Sequence, residues 1–346
     1  MRFLKWLVLL LIIVLLTLTG WVTYKLKQYP SLQPYQQYFA KTSSKTYRQG
    51  EHVTATFLGT TSILISDGKT SILTDGFFTR PQLTELVFSK IAPDKEKIKI
   101  ALQKAGIQRL AAVIPIHSHH DHAMDAPEVA KLTGAMLLGS TSTANIGRGA
   151  GLPESQIQVA EPGVALRFGD FTVTLLESKH LAVASVMAKL TGIGETIETH
   201  LATPCHFTQY KEGKSYSVFI AHPLGNTLIH GSAGYLKDSL QGLQADTIFL
   251  GIAGVSSLSE REQSMYLRET VETVGAKRII PIHWDDFMQG YEQGLQAPPS
   301  LLAKFDKDMQ FILQQGKKPK QRNVTLLDMW DKLVLYTKEN KTKDVP

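Results

Sequence analysis

Four histidines and one aspartate occupy positions 117–122, within the stretch VIPIHSHHDHAMD (113–125). The chain has 346 residues and eleven histidines, so more than a third of its histidines lie in this one stretch. The apolar run LAAVIPI (110–116) precedes them and is typical of a strand buried on both faces of a sheet. Imidazole and carboxylate groups are ligands of divalent metals. The stretch therefore predicts a metal centre just past the end of a buried strand.

The spacing within the stretch predicts two neighbouring ions. In an extended segment residues i and i+2 point the same way, so His117 and His119 can bind one ion together. Asp121 and His122 lie on the following turn and are expected to reach a second ion. His120 breaks this pattern, and we expect it to be a neighbour of the centre rather than a ligand.

The sequence His-Ser-His-His-Asp-His at 117–122 matches the H-x-H-x-D-H motif of the metallo-β-lactamase superfamily of hydrolases. The resemblance covers residues 53–290 and implies an α/β fold, the four-layer αββα sandwich. It implies that Asp75, in ILTDGFF, supports the metal loop from beneath. It also implies that His180, after FTVTLLES, is the third ligand of the first metal. His283, in RIIPIHWDDF, would be the third ligand of the second metal.

The sequence departs from the superfamily pattern at Ser232. Most of these hydrolases carry a bridging aspartate in a turn resembling GDTGY, and the corresponding turn here is GSAGY. A hydroxyl cannot bridge or neutralise two cations, so a second metal held by Asp121, His122 and His283 should bind more weakly. Ser232 has no flanking Lys or His that would make it a nucleophile, and we expect it to fill vacant space in a supporting role. Asp125 is expected to cap the next helix or to orient a ligand.

The segment 181–217 is an insertion that resembles one branch of the superfamily. That branch includes the lactonase of ascorbate 6-phosphate and the phospholipase D that cleaves N-acylphosphatidylethanolamines, and the His-Trp pair at 283–284 is similar to it. The true β-lactamases usually continue from the third histidine as H-T-P-G-S, whereas HLAVASV follows here. The apolar part, LAVASVMAKLTGIG, either forms a lipid-accepting wall or packs on the sandwich.

The ligand set suits zinc best, with one or two ions per chain, and Mn²⁺ or Fe²⁺ are also compatible with it. We expect a metal-bound hydroxide, oriented by Asp121 as the catalytic carboxylate, to attack an ester, amide, lactone or phosphodiester. The expected partner is a small-molecule or lipid-like substrate. Two other functions stay open at this point, a β-lactamase-like hydrolase and a non-catalytic metal-binding module.

The net charge of +6 comes from the N-terminal fifty residues. Residues 1–50 carry seven Lys and Arg and no acidic residue, which leaves 30 Lys and Arg against 31 Asp and Glu in 51–346. Nucleic-acid enzymes usually carry a basic surface on the folded domain. We therefore expect no nucleic-acid partner. The single cysteine, Cys205, excludes an intramolecular disulfide.

The segment WLVLLLIIVLLTLTGWVTY (6–24) contains no charge over nineteen residues. As a helix it would span about 28 Å, close to the hydrocarbon thickness of a bilayer. The apolar core of a cleaved signal peptide is usually shorter, so an uncleaved anchor is favoured. We expect a transmembrane anchor over 1–26, an extended stalk over 27–50 and a hydrolase domain over 51–340. The protein should then be a single-pass membrane protein, with the hydrolase domain on the extracytoplasmic side.

The rest of the chain alternates strand-like and helix-like segments in two similar halves. The stretches 62–78 and 217–235 both have the pattern of a β-hairpin whose second strand ends in a polar turn that contains glycine. Strands and helices alternate after each hairpin. This repetition predicts two packed sheets flanked by helices.

Overall fold

The structure, a computed structural model, describes residues 2–41, 48–317 and 322–341. Fourteen strands within these described residues form two seven-stranded sheets. The first sheet contains, in spatial order, β14 (Lys332–Thr337), β1 (His52–Phe57), β2 (Ile63–Ser66), β3 (Ser71–Thr74), β4 (Ala112–Ile114), β5 (Met136–Gly139) and β6 (Ile157–Val159). The second contains β7 (Ala165–Phe168), β8 (Phe171–Ser178), β9 (Ser215–Ala221), β10 (Thr227–His230), β11 (Thr247–Gly251), β12 (Arg278–Ile282) and β13 (Asn323–Val324).

The two sheets share one pairing pattern. In each sheet, as just ordered, the first three pairings are antiparallel and the next three are parallel. Both predicted hairpins, β2–β3 and β9–β10, are present, each at the point where antiparallel pairing changes to parallel. The repetition in the sequence therefore corresponds to two similar half-structures.

Helices cover the outer faces of the sheets. The helices are α1 (Arg2–Leu26), α2 (Leu83–Phe88), α3 (Lys95–Lys104), α4 (His120–Ala123), α5 (Ala126–Thr133), α6 (Thr141–Gly149), α7 (Ser185–Thr191), α8 (Glu260–Leu267), α9 (Phe305–Leu313) and α10 (Lys338–Lys341). The central strands β4 and β11 are buried at every residue. A strand buried on both faces needs a layer on each side, here the other sheet and a layer of helices. The predicted αββα sandwich is confirmed.

The N-terminal helix α1 is long and apolar enough to cross a membrane, judged by its length and composition. A signal sequence near an N-terminus would meet the same criterion. Its apolar side chains are exposed, Leu15 at 63% and Leu16 at 66%, so the folded domain does not cover them. Exposed apolar surface of this extent usually marks an interaction with lipid or protein.

The segment after α1 differs from the expected extended stalk. Residues Gln33–Tyr38 form a 3-10 helix that packs on the domain. Tyr35 is buried, its ring lies edge-on against Phe305, and its hydroxyl donates to Asp306 Oδ1 at 2.7 Å. Phe39 then pairs with Leu326 in an isolated bridge. Aromatic side chains that can be buried outweigh the extended tendency of the prolines. Residues 42–47 of the expected stalk lie outside the described residues.

The insertion 181–217 is divided between the two expected roles. Its second part packs into a small apolar core with Phe77, through Ile197, Leu201, Cys205 and Tyr210. Its first part forms α7, whose apolar side chains remain exposed, including Val186 at 76%.

Candidate metal centre

The first group of the centre consists of His117, His119 and His180. His117 and His119 follow β4, and His180 follows β8, so strands from both sheets position them. One nitrogen of each ring lies within 4.8 Å of the other two, and Nε2 of His117 is 3.0 Å from Nδ1 of His119. The remaining nitrogen of His119 faces the carbonyl of Thr191 at 3.1 Å, and that of His180 faces the carbonyl of Leu181 at 2.8 Å. These carbonyls fix which nitrogen carries hydrogen and leave the inner nitrogens as acceptors.

The second group consists of Asp121, His122 and His283. Asp121 and His122 lie on the single turn of α4, and His283 directly follows β12. Asp121 Oδ2 is 3.4 Å from Nε2 of His122 and 3.5 Å from Nε2 of His283, and the two nitrogens are 3.3 Å apart. Three acceptor atoms therefore face one point, which is the arrangement that a divalent cation would satisfy.

Asp75 supports both the histidine stretch and the second group. Its Oδ1 accepts the backbone N–H of Ile116 at 2.8 Å, and its Oδ2 accepts Nδ1–H of His122 at 2.8 Å. The hydroxyl of Thr61 donates to the same Oδ2 and also contacts Nδ1 of His122 at 2.9 Å. Asp75 has φ +53, a left-handed conformation that turns its carboxylate back under the loop. This contact fixes the His122 tautomer with Nε2 toward the second group.

Burial sets the protonation state of the first group. It lowers the pKa of His117 well below the ordinary value, lowers that of His119 to about 3, and lowers that of His180. Neutral imidazole is the form that binds metals, so these rings need not lose a proton first. Burial favours protonation of Asp121, but the adjacent imidazoles, His122 foremost, outweigh it and hold the pKa well below its usual range. Asp121 is therefore a carboxylate.

The turn between β1 and β2, residues 58–62, holds the loop that carries His283 and was not anticipated from the sequence. The backbone N–H of His283 donates to the carbonyl of Thr60 at 2.8 Å, and Thr60 N–H donates to Asp285 Oδ1 at 2.8 Å. Asp285 Oδ2 forms an ion pair with Arg80 at 2.9 Å, with both side chains almost fully buried. The turn thus links the His283 loop of the second sheet to the first sheet.

Ser232 lies beside the first group and holds the loop that carries His180. Its hydroxyl oxygen accepts the backbone N–H of Leu181 at 2.9 Å. His230 fixes the turn that contains Ser232, because its Nε2–H donates to the carbonyl of Gly234 at 2.7 Å. Ser232 therefore has a hydrogen-bond partner of its own, whereas the expected role was to fill vacant space.

Asp125 differs from its expected role, whereas His120 lies beside the centre as a neighbour. The carboxylate of Asp125 accepts hydrogen bonds from Phe78 N at 2.7 Å, Thr79 N at 2.6 Å and Thr79 Oγ1 at 2.6 Å. It thereby secures the segment after β3, and the expectation that it caps α5 or orients a ligand is wrong. His120 packs edge-on against Phe77, Phe207 and Phe287, as expected of a neighbour rather than a ligand.

Two cavities of different character open on either side of the centre. The first, here called the apolar cavity, measures about 640 Å³ and includes His283 in its wall. The second, here called the polar cavity, measures about 560 Å³ and includes His180 together with Lys179, Glu212 and Lys214. Leu181 lines both cavities, so the two are neighbours at this residue, and each has one candidate ligand in its wall.

Comparisons with known proteins support a hydrolase. A UPF0173 metal-dependent hydrolase of Pyrobaculum islandicum is 21% identical over 234 residues, which are 67% of this chain and 84% of the relative. A UPF0173 metal-dependent hydrolase of Myxococcus xanthus is 27% identical over 194 residues, 54% of this chain and 61% of the relative. The structure of a metallo hydrolase of Ignicoccus hospitalis aligns with a TM-score of 0.49 and 15% identity, over 83% of this chain and 99% of the other. No protein-family model matches the sequence.

Proposed function

We propose that this chain, which is similar to UPF0173 metal-dependent hydrolases, is a membrane-anchored zinc hydrolase of the metallo-β-lactamase superfamily. Its proposed reaction is the hydrolysis of an ester, amide, lactone or phosphodiester bond. One observation carries the proposal: two groups of three ligand side chains lie side by side where strands of both sheets end. The likeness to the lactonase and phospholipase branch stays a prediction.

The donor set fits two divalent ions. The inner nitrogens of His117, His119 and His180 face one another within 4.8 Å, and a cation between them would be bound by all three rings in their neutral form. Asp121, His122 and His283 would hold a second ion. Five imidazoles and one carboxylate favour zinc, although Mn²⁺ and Fe²⁺ bind the same kinds of ligand. The second site lacks a bridging carboxylate, so we expect it to bind the more weakly of the two.

Zinc bound in these sites would supply Lewis acidity to the substrate oxygen and would activate water at neutral pH. The protein's own groups then position the reaction. The ionised carboxylate of Asp121 accepts a hydrogen bond from the attacking water and orients it toward the substrate. Asp75 holds His122 in one tautomer, and the Thr60 carbonyl holds the backbone of His283, so neither ring needs to reorganise during turnover.

The membrane part of the proposal is supported by α1. Its apolar residues are exposed along its length, and Lys25 and Lys27 follow the apolar run, as is common at the end of a membrane span. A second function, β-lactamase-like hydrolysis, has no feature of the described site in its favour. It is retained as an outcome of the test.

Elemental analysis of the purified full chain tests the proposal. We expect close to two zinc ions per chain, and about one in the double variant His117→Ala/His119→Ala. His200→Ala, at an exposed histidine, is the matched control and should keep both ions. The same preparations are assayed with an ester and phosphodiester panel and with nitrocefin.

The possible results separate the functions. Turnover of the panel that is lost with the metal supports the hydrolase, and preference for nitrocefin supports the β-lactamase alternative. Two ions bound without turnover of any substrate would favour a non-catalytic metal-binding module. Absence of bound metal at every added zinc concentration would overturn the proposal.

A further inference from the structure

The apolar cavity is suited to a hydrocarbon chain. It lies beside His283, and its wall contains the large apolar side chains of Leu181, Val183, Trp284, Phe287, Leu302 and Phe305. Its volume of about 640 Å³ is within the usual range for a ligand pocket. Val183 and Leu302 are also 39% and 47% exposed, so the cavity is open to the surface at an apolar mouth.

The acidic residues in the cavity wall do not make it polar, because their carboxylates are engaged elsewhere. Asp285 is paired with Arg80 and Thr60, and Asp286 Oδ1 accepts the backbone N–H of Met288 at 3.0 Å. Asp308 accepts the backbone N–H groups of Gly254 at 3.0 Å and Ser256 at 2.7 Å. A ligand in this cavity therefore meets mainly carbon atoms.

The end of α1 lies at the mouth of the apolar cavity. Leu26 and Lys27 line a groove with Leu83, Met288 and Leu302, and these last three residues also line the apolar cavity. Two hydrogen bonds fix this arrangement. The carbonyl of Gln28 accepts Ser300 N–H at 3.1 Å, and the hydroxyl of Tyr29 accepts from Gln289 Nε2 at 2.8 Å.

The short segment between the apolar run of α1 and the cavity wall limits how far the mouth of the apolar cavity can lie from a membrane. Tyr24 is the last residue of the uncharged apolar run, and Gln28 is already bonded to the cavity wall. Four residues of fully extended chain span at most about 14 Å. If α1 spans a bilayer, the mouth of the apolar cavity is therefore at the level of the lipid headgroups.

We propose that the apolar cavity takes the acyl chain of a membrane lipid, drawn from the bilayer in which α1 lies. This inference rests on the proposed function and gives its substrate class, an amphiphile with one apolar and one charged arm. The charged arm would lie in the polar cavity, near Lys179; the other lysine there, Lys214, is paired with Glu177. The cleaved bond lies between the cavities, and water adds across it, the hydroxyl to the carbonyl carbon or phosphorus and the hydrogen to the leaving group.

Photo-crosslinking tests the inference without requiring catalysis. The full chain is reconstituted in phosphatidylcholine vesicles that contain a phospholipid with a diazirine at the end of one acyl chain, in the presence of a chelator. Cross-links are mapped by mass spectrometry. We expect them on α1, which serves as the internal reference, and on the buried part of the cavity wall at 284–288.

Two variants fill the cavity, and one matched variant does not. Ala303→Trp and Ala253→Phe place a ring in the wall of the apolar cavity. Each should reduce the cross-link yield at 284–288, relative to the yield on α1, by about tenfold or more. This is the loss of binding expected when two methylene groups of the acyl chain are no longer buried. Ala165→Trp, on the exposed edge strand β7, should change nothing. If Ala303→Trp does not fold, Ala253→Phe still tests the inference.

The outcomes distinguish this inference from the proposed function. Cross-links confined to α1, or a yield at 284–288 that neither filling variant lowers, would overturn it even if the chain binds metal and hydrolyses the panel. Absence of cross-links on α1 would overturn the membrane origin of the ligand. Cross-links in the cavity of a chain that binds no metal would leave this inference standing and remove the proposed function.

Discussion

The ion pair between Arg80 and Asp285 gives a prediction that can be worked out in detail. The two side chains are 2% and 0% exposed, and Nη2 of the arginine is 2.9 Å from Oδ2 of the aspartate. Asp285→Asn keeps the shape of the side chain and removes its charge. The amide oxygen can still accept Thr60 N–H, so the turn keeps its hydrogen bond. The guanidinium of Arg80, however, remains buried without the carboxylate that it contacts.

Breaking a buried ion pair from one side costs about 3–5 kcal/mol in free energy of unfolding, because the remaining charge is not compensated. A typical folded domain has about 5–15 kcal/mol in total. For a domain of this size, 1 kcal/mol corresponds to roughly 2 °C, so we expect the Tm to fall by about 6–10 °C. Replacing both partners, Arg80→Met with Asp285→Asn, should cost less than the sum of the single changes.

Thermal unfolding of the full chain in detergent, followed by circular dichroism, measures this effect. Glu154→Gln is the control, because it removes a carboxylate that is 67% exposed from its ion pair with Arg148. A surface pair contributes about 0–1 kcal/mol, so the Tm of this variant should fall by at most about 2 °C. A Tm shift for Asp285→Asn no larger than the shift for Glu154→Gln would refute the reasoning. So would a double variant that is as unstable as the two single changes added together.

Three further predictions concern the groups around the centre. Asp75→Asn removes the carboxylate that fixes His122, and chelator competition should show a second-site affinity about 10–100-fold lower; unchanged affinity would contradict the role given to Asp75. Ser232→Ala deprives Leu181 N–H of its acceptor and should weaken the first site by less than tenfold, with Ser232→Thr close to wild type. Burial lowers the pKa of His230 to about 4. As the pH falls from 6.5 to 4 the unfolded chain gains a proton before the folded chain does, so about 3 kcal/mol of stability is lost. His230→Gln should flatten this part of the urea-unfolding profile, and an unchanged slope would exclude His230 as its source.

The sequence predicts those parts of the molecule that leave a local pattern. Strands buried on both faces are continuous apolar runs, as in LAAVIPI, and the hairpin at residues 67–69 is signalled by Asp-Gly-Lys. The Asp67 carboxylate does accept the backbone N–H groups of Lys69 at 2.8 Å and Thr70 at 2.7 Å. His180 and His283 could be proposed as ligands only through the resemblance, and the structure brings each of them to the histidine stretch.

The contacts that escaped prediction join positions far apart in the chain. Thr60 and Asp285 are separated by 225 positions, and Tyr35 and Asp306 by 271. Hydrophobic periodicity and motif spacing in the sequence do not indicate such a pair. Asp125 shows the same limit in another way. Its place before an apolar helix is typical of a cap, yet its carboxylate bonds to residues 78–79, on a different segment.

The division of the ligands between the two halves of the chain affects the order of events in folding. His122 and His283 lie 161 positions apart, and the N-terminal half leaves the ribosome first. At that stage a metal ion meets only the ligands of the histidine stretch, and it can exchange freely. Complete coordination requires both sheets to have packed. Slow exchange of the metal should therefore mark the end of folding, and a chelator added during refolding would separate chains that have joined their halves from those that have not.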